Sequence, residues 1–229
     1  MTLRILYRDG DLAIVNKPSG MLVHRGWDND AVVAMTELRD AIGRHVFPVH
    51  RLDRATSGAL AFALSSEMAA ALQPQFEQGG VRKRYLALVR GIPPERGVID
   101  SPVPRSEDGP RVSAVTEFRR LFTFERYSLV EACPKTGRLH QIRRHLKHLG
   151  HPVVGDVNYG RGEINRLFRE RYGLHRLALH ALELELAHPR TGAPVAVRAP
   201  VPDDLAGPLR AMGVPQALFS ADEPRPATP

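Results

Sequence analysis

The sequence predicts an α+β protein built around a largely antiparallel β-sheet. Strand-like segments outnumber helix-like ones, and the two do not alternate in regular βαβ order. Composition agrees with a globular chain: 43% of the 229 residues are hydrophobic and 25% are charged. That length can bury one substantial core, or form one domain with two lobes.

The elements follow from local pattern. Residues 5–7 and 12–15 are apolar and flank Asp9-Gly10-Asp11, a turn sequence, so a hairpin opens the chain. Ala31, Met35, Leu38 and Ile42 make a helical stripe, with Asp30 as its cap and Gly43 as its end. Residues 59–64 are an apolar run that reads as a buried strand. A helix should begin at Ser65 or Ser66, with Pro74 kinking or splitting it, and Gly79-Gly80 breaks the chain after it. Strands are expected over residues 81–89, 112–118 and 128–132. Leu139, Ile142, Leu146 and Leu149 line one face of a helix that stops at Gly150, before Pro152. Residues 181–187 alternate as LELEL, a strand with one wet face. The chain's end is Pro-rich and polar, and a disordered tail is expected over residues 216–229. No internal repeat is evident.

Several function classes are excluded or weakened at this level. Charged residues interrupt the apolar start almost at once, so it does not read as a signal peptide. No apolar run approaches the ~20 residues that span a bilayer. Cys133 is the single cysteine, so an intrachain disulfide and an all-cysteine zinc site are both ruled out. A soluble cytoplasmic protein is the simplest expectation. Lys plus Arg number 32 against 25 Asp plus Glu, a net +7 with a pI near 10.1. Such a field attracts a polyanion such as RNA, although an Arg-rich proteome would produce the same excess.

Three clusters carry candidate chemistry. His50-Arg51-Leu52-Asp53-Arg54-Ala55-Thr56-Ser57-Gly58 is a dense polar loop feeding a buried strand. Asp53 lies between Arg51 and Arg54, whose charges suit a carboxylate anion; a surface loop with a paired aspartate has the same pattern. Gly58 suits a tight entry into the strand. Lys83 and Tyr85, two apart on a strand, share a face, and a cation beside an aromatic is what stacks and neutralises a nucleotide; a core tyrosine is the alternative. Residues 134–145 form a turn at Thr136-Gly137 and then a helix on which Arg143 and Arg144 flank the apolar stripe beside Ile142. That placement suits a cleft edge or, equally, a solvated basic face. His140, His145, His148 and His151 lack a nearby acidic or thiol ligand, so no metal is expected. Cys133 reads as a small buried side chain rather than a nucleophile.

Taken in order, NKPSGMLVH (16–24), HRLDRATSG (50–58), VRKRYLALVRG (81–91), KTGRLHQIRRHL (135–146), VVGDVNYG (153–160) and RLALHALELELAHPRTG (176–192) resemble the large ribosomal and transfer RNA pseudouridine synthase family. The resemblance covers residues 3–198. It implies one catalytic domain over residues 1–215, with a bent, mixed, largely antiparallel sheet flanked by helices and loops, and no cofactor. It places Asp53 at the family's catalytic aspartate and Tyr85 at the tyrosine that stacks on uracil and takes part in proton removal. Arg143 falls at the arginine that pairs with the aspartate, and Ile142 at the apolar position beside it. Arg51 matches the arginine that fills the stack left by the flipped base. Lys83, Arg54 and Arg144 are expected to bind RNA around them. Within the family, the stretches around the aspartate and on the third cluster look most like members acting on uridine 65 of transfer RNA. The resemblance begins at residue 3, so the chain is expected to open directly in the catalytic domain, without the small N-terminal RNA-binding domain of many ribosomal relatives. The segment 97–113 is shorter than those members would have. A monomer acting on transfer RNA is expected, with ribosomal RNA as the alternative substrate. A non-catalytic RNA-binding protein would dispense with Asp53 or Tyr85, and both are present. A glycosidase would want a second carboxylate flanking the scissile bond, and the motif offers one.

Overall fold

The computed structural model describes residues 3–25, 32–106 and 109–220. In chain order the elements are β1 (Arg4–Arg8), β2 (Leu12–Lys17), α1 (Ala34–Ile42), β3 (Phe47–Pro48), β4 (Ser57–Ala63), α2 (Ser66–Glu77), β5 (Arg82–Arg90) and β6 (Arg96–Asp100). There follow β7 (Val103–Pro104), β8 (Arg111–Val112), β9 (Val115–Phe124), β10 (Tyr127–Pro134), α3 (Gln141–His148), α4 (Gly162–Tyr172), β11 (Leu179–Ala187), β12 (Pro194–Arg198) and α5 (Asp203–Ala211). The main sheet runs β1-β2-β4-β11-β5-β10-β9-β6, with β12 on β11 and β3 on β4. Its pairs are antiparallel except β4 with β11, so the sheet is mixed and largely antiparallel.

Strand β4 shows how the sequence builds two layers. Its residues alternate small and large, as a strand buried on both faces requires. Ala59, Ala61 and Ala63 pack with Met68, Leu72 and Phe76 of α2. Leu60 and Phe62 face the opposite core, which includes Leu38 of α1. The alanine face lets α2 lie close to the sheet. Gly58 opens the strand at φ 117°, and a Cβ there would collide with the Ala181 carbonyl across the parallel pairing.

Local expectations hold where a side chain terminates an element. Asp9 accepts from the Asp11 and Leu12 amides at 2.8 Å and closes the first hairpin. Gly43 ends α1 in the left-handed region, and the Ser65 hydroxyl caps α2 by accepting from the Met68 amide at 3.2 Å. Other expectations are corrected. Helix α1 starts at Ala34, where Thr36 accepts from the Val33 amide at 3.2 Å; Asp30 and Ala31 lie outside the described residues. Pro74 does not split α2, because it sits near the helix's end and removes one amide donor from an otherwise continuous ladder. The strand expected over 112–118 divides into β8 and β9. Leu139 precedes α3. The wet face of β11 is partly covered: Glu183 pairs with Arg84 at 2.8 Å and Arg198 at 3.2 Å. Chain packing also continues past residue 215. Residues 216–218 form a 3-10 turn and Phe219 is buried in the core; residues 221–229 lie outside the described residues. Among the described residues, no helix is long and apolar enough to cross a membrane.

Candidate active site

The loop before β4 is pinned at both ends. His50 Nε2 accepts from the Ala61 amide at 2.9 Å and its ring stacks on Phe76 at 4.6 Å. An imidazole that accepts from an amide is neutral, and desolvation, reinforced by the Lys83 charge, pushes its pKa down to about 3. On the other side the NKPSG loop is stitched to the aspartate loop. The fully buried Lys17 ammonium donates to the carbonyls of Met21, Pro18 and Arg54 at 2.7, 3.0 and 3.1 Å. Burial pushes Lys17 down to about 7, while three carbonyl acceptors match the three protons of the charged form. Ser19 donates to the Ala55 carbonyl and the Gly20 amide to the Arg54 carbonyl, both at 2.8 Å. Asp53 therefore sits on a loop with little freedom.

The partner element is α3. Gln141 is buried at its start and fixes the preceding turn: its oxygen accepts from Thr136 at 2.7 Å and from the Arg138 amide at 3.0 Å. Two residues on, Arg143 is 6% exposed and bridges two carboxylates. Its Nη1 donates to Asp53 Oδ2 at 3.0 Å; its Nε and Nη2 donate to the two oxygens of Asp156 at 2.7 and 2.9 Å. Burial works against the Arg143 charge, but the two carboxylates outweigh it and push its pKa above its ordinary value. Asp156, 1% exposed, also accepts from the Asn158 and Tyr159 amides at 3.0 Å. Burial would raise its pKa, yet the Arg143 contacts hold it below the usual carboxylate range. Asp156 thus clamps Arg143, and Arg143 presents a fixed N–H to Asp53.

Asp53, Arg51, Lys83, Tyr85, Ile142 and Arg143 line one cavity of about 370 Å³. That is within the ~300–1,000 Å³ of small-ligand pockets. Lys83 and Tyr85 enter it from the same face of β5. Burial, and then the charge of Asp53, push the Tyr85 phenol well above its ordinary pKa of 10, so it stays protonated at neutral pH. Burial lowers Lys83 to about 8. Two expected site residues do not line this cavity. Arg54 turns back so that its Nε donates to the Gly20 carbonyl at 3.0 Å, and the Arg144 guanidinium lies over the Tyr159 ring at 5.2 Å. Two histidines of the 140–151 group are engaged in the fold: His145 contacts Thr116 Oγ1 and the Ser101 carbonyl, each at 2.9 Å, and His151 contacts the Arg90 carbonyl at 3.0 Å. Among the described residues, no group of three potential metal ligands comes together. Cys133 is half-buried on β10 and its thiol is pushed up to about 11 by burial.

The site is thus a carboxylate held by a clamped arginine beside a tyrosine, in a cavity of a basic protein. Residues 11–148 match the RNA pseudouridylate synthase family. The chain belongs to that family. It is similar to the tRNA pseudouridine synthase C of Vibrio cholerae serotype O1, at 45% identity covering 95% of this chain and 98% of that one. The Salmonella typhimurium tRNA pseudouridine synthase C is 48% identical, with 86% and 85% covered. Among solved structures, human RNA pseudouridylate synthase domain containing 4 superposes with a TM-score of 0.75 at 27% identity, covering 92% of this chain and 93% of that one. Domain containing 1 gives 0.73 at 30% identity, with 89% and 86% covered. As a pseudouridine synthase the chain is an isomerase acting on RNA, and its fold is that of the family's catalytic domain.

Sequence reasoning missed Asp156 as the second carboxylate on Arg143, although VVGDVNYG was among the matching stretches. It also missed the clamping roles of Lys17, His50 and Gln141. Each lies inside a quoted motif, but nothing in a linear string says that an arginine on α3 will meet an aspartate 13 residues later. His140 drew notice only within a histidine group at which no metal is expected, and it lines the cavity.

Proposed function

We propose that this chain isomerises uridine 65 of transfer RNA, with Asp53 as the nucleophile. The observation that carries the mechanism is the asymmetry of the Asp53 carboxylate. Oδ2 is tied to Arg143, while the residue lines the cavity that Tyr85 and Lys83 also enter. The names of the bacterial relatives, and the likeness of the NKPSG, HRLD and HQIR stretches, support the substrate.

The steps follow from these groups. A uridine in a paired arm must be unstacked and turned out, at a cost of roughly a few kcal/mol, before any side chain can reach it. Arg51, at the cavity's rim, fills the vacated stack. Asp53 acts at the anomeric carbon as the bond to N1 breaks, leaving uracil held against Tyr85 with Lys83 nearby to offset its negative charge. The base turns, C5 bonds to the anomeric carbon as the bond to Asp53 breaks, and the proton lost from C5 is balanced by one gained at N1. A neutral Tyr85 cannot take that proton unless it gives up its own, so its hydroxyl serves as a relay rather than as a standing base. No electrons are exchanged and no group leaves, so the reaction as written needs no cofactor.

The test has two arms. Asp53→Asn should lose turnover while holding transfer RNA within about tenfold of the wild-type affinity, ~1.4 kcal/mol; turnover in a clean preparation removes the nucleophile assignment. Unmodified transfer RNA and ribosomal RNA, given together to the wild-type enzyme, should show product at uridine 65 of the former. Ribosomal product beside untouched transfer RNA overturns the substrate.

A further inference from the structure

His140 occupies an unusual position. It precedes the first residue of α3 with φ 52° and ψ 28°, a left-handed conformation that non-glycine residues seldom adopt. The turn is held there by Gln141, whose amide and side chain reach Arg138, Thr136, Val115 and Thr116. The result is an imidazole that lies between Tyr159 and Asp53. Nδ1 is 3.0 Å from the Tyr159 hydroxyl, and Nε2 is 3.9 Å from Asp53 Oδ1. Tyr159 is placed in turn by its amide's bond to Asp156, and the Arg143, Arg144 and Lys147 cations lie over its ring at 5.0, 5.2 and 5.6 Å.

These contacts close a ring: Asp53 to Arg143, Arg143 to Asp156, Asp156 to the Tyr159 backbone, Tyr159 to His140, and His140 back to Asp53. Arg143 addresses one carboxylate oxygen and His140 the other. At 3.9 Å the second contact is too long for a hydrogen bond, so the oxygen stays available while its direction is biased. A lone pair on Nε2 would repel Oδ1, whereas an N–H there attracts it. The Asp53 charge on the Nε2 side favours the N–H there, and Nδ1 is then the acceptor to which the Tyr159 hydroxyl donates.

We propose that His140 is a positioning residue for the reaction, held by Tyr159 as the Nε2–H tautomer so that Asp53 presents Oδ1 to the flipped nucleotide. The inference rests on the reading of Asp53 as nucleophile. Besides Asp53, the groups facing the ring are Arg143 and Arg144 on α3, and Asp156 and Tyr159 on the following loop. Burial lowers the His140 pKa, partly opposed by the Asp53 charge. On the acid side, an imidazolium would form a full ion pair with Asp53 and blunt its attack, so turnover should fall as pH drops through that value.

The experiment compares His140→Ala, His140→Gln and Tyr159→Phe with wild type, using unmodified transfer RNA, with thermal melting as a check on folding. A misdirected carboxylate costs on the order of 10- to 100-fold in kcat, with KM little changed. His140→Ala should show that split. His140→Gln, whose amide keeps an N–H, should recover much of the loss and lack the acid-side fall due to the imidazole. Tyr159→Phe should lie between them. The proposal is overturned if His140→Ala keeps kcat within about twofold, if KM alone rises, or if Gln is no better than Ala in proteins that melt normally. Should His140→Ala not fold, the Gln and Phe variants decide by the same criteria. Asp53→Asn, measured alongside, separates the two claims. If it still turns over, the nucleophile reading fails. If it is dead while the His140 variants match wild type, only the positioning role fails.

Discussion

Two buried polar clusters flank the parallel pairing of β4 and β11, and they are wired differently. In the first, Arg143 joins Asp156 to Asp53, and Asp53 opens onto a cavity. In the second, Arg176 donates to Ser57 Oγ at 2.6 Å, and Ser57 meets His180 Nδ1 at 2.7 Å. His180 Nε2 donates to the Ala199 carbonyl at 3.2 Å, and Arg176 also donates to Asp204 at 2.9 Å. Since a carbonyl can only accept, His180 carries its proton on Nε2 and receives the Ser57 hydroxyl at Nδ1. That circuit is closed: every strong donor is used inside the fold. A serine beside a histidine is here a splice between two strands and α5. Burial and good hydrogen bonds do not distinguish chemistry from architecture; a charged group with an open side does.

The largest effects are expected at the centres of the two clusters. Asp156→Asn removes one charge of a buried pair, at a cost of about 3–5 kcal/mol, and releases Arg143 from its fixed orientation. Melting temperature and kcat should therefore fall together. Ser57→Ala strands His180 Nδ1 and one Arg176 donor, costing about 1–3 kcal/mol, at 2–4 °C of melting temperature per kcal/mol for a domain of this size. Its kcat on folded protein should stay near wild type. Calorimetry and initial rates on both variants check the contrast. A Ser57→Ala enzyme with normal melting and crippled turnover would assign the second cluster to the site after all.

A pH series sharpens the same point on the stability side. His180 is pushed down to about 4 and His50 to about 3, chiefly by burial, against an unfolded value near 6.5. The unfolded chain therefore binds more protons than the folded one below pH 6.5. Stability is fully present above that pH and is lost as pH falls towards 4 and 3. By pH 5 each histidine should have withdrawn about 2 kcal/mol. Urea midpoints at pH 7.5 and 5.0 measure it, and His180→Asn should flatten part of the slope. Equal midpoints for the wild type at both values would contradict the neutral, buried assignment.

The two clusters also differ in how far the sequence announces them. That Asp53 and Tyr85 share a site was legible because both lie in short, densely polar motifs, and β4 because a short apolar run after a polar loop reads as a buried strand. The link between Asp156 and Arg143 was not legible, since it depends on how the loop before α4 folds over α3. Nor was the fate of Arg54 and Arg144: composition puts them beside the site, while a carbonyl acceptor and an aromatic face draw them elsewhere. Helices α4 and α5 were not read from the sequence either: α4 fully buries only Phe168, and Pro208 lies inside α5. Asp30 was the plausible cap for α1, but the helix starts at Ala34 with Thr36 in that service.

The smallest expected effect concerns Lys83, the cation on the pocket's own strand. Burial lowers it to about 8, so its folded-state charge is present below that pH and is lost above it. Its partner in the argument is Lys17, which burial lowers to about 7 but which spends its protons on three carbonyls rather than on substrate. RNA binding should therefore weaken several-fold between pH 7 and 9.5 as the pocket loses one positive charge, and the salt dependence should become shallower by about one unit. Lys83→Arg separates the two lysines, because a guanidinium stays charged throughout this range while Lys17 is untouched. The variant's affinity should be flat with pH where the wild type's declines. If both decline in parallel, the alkaline loss belongs to Lys17 and to the loop it stitches, and Lys83 is then a packed strand residue whose charge the nucleotide does not feel.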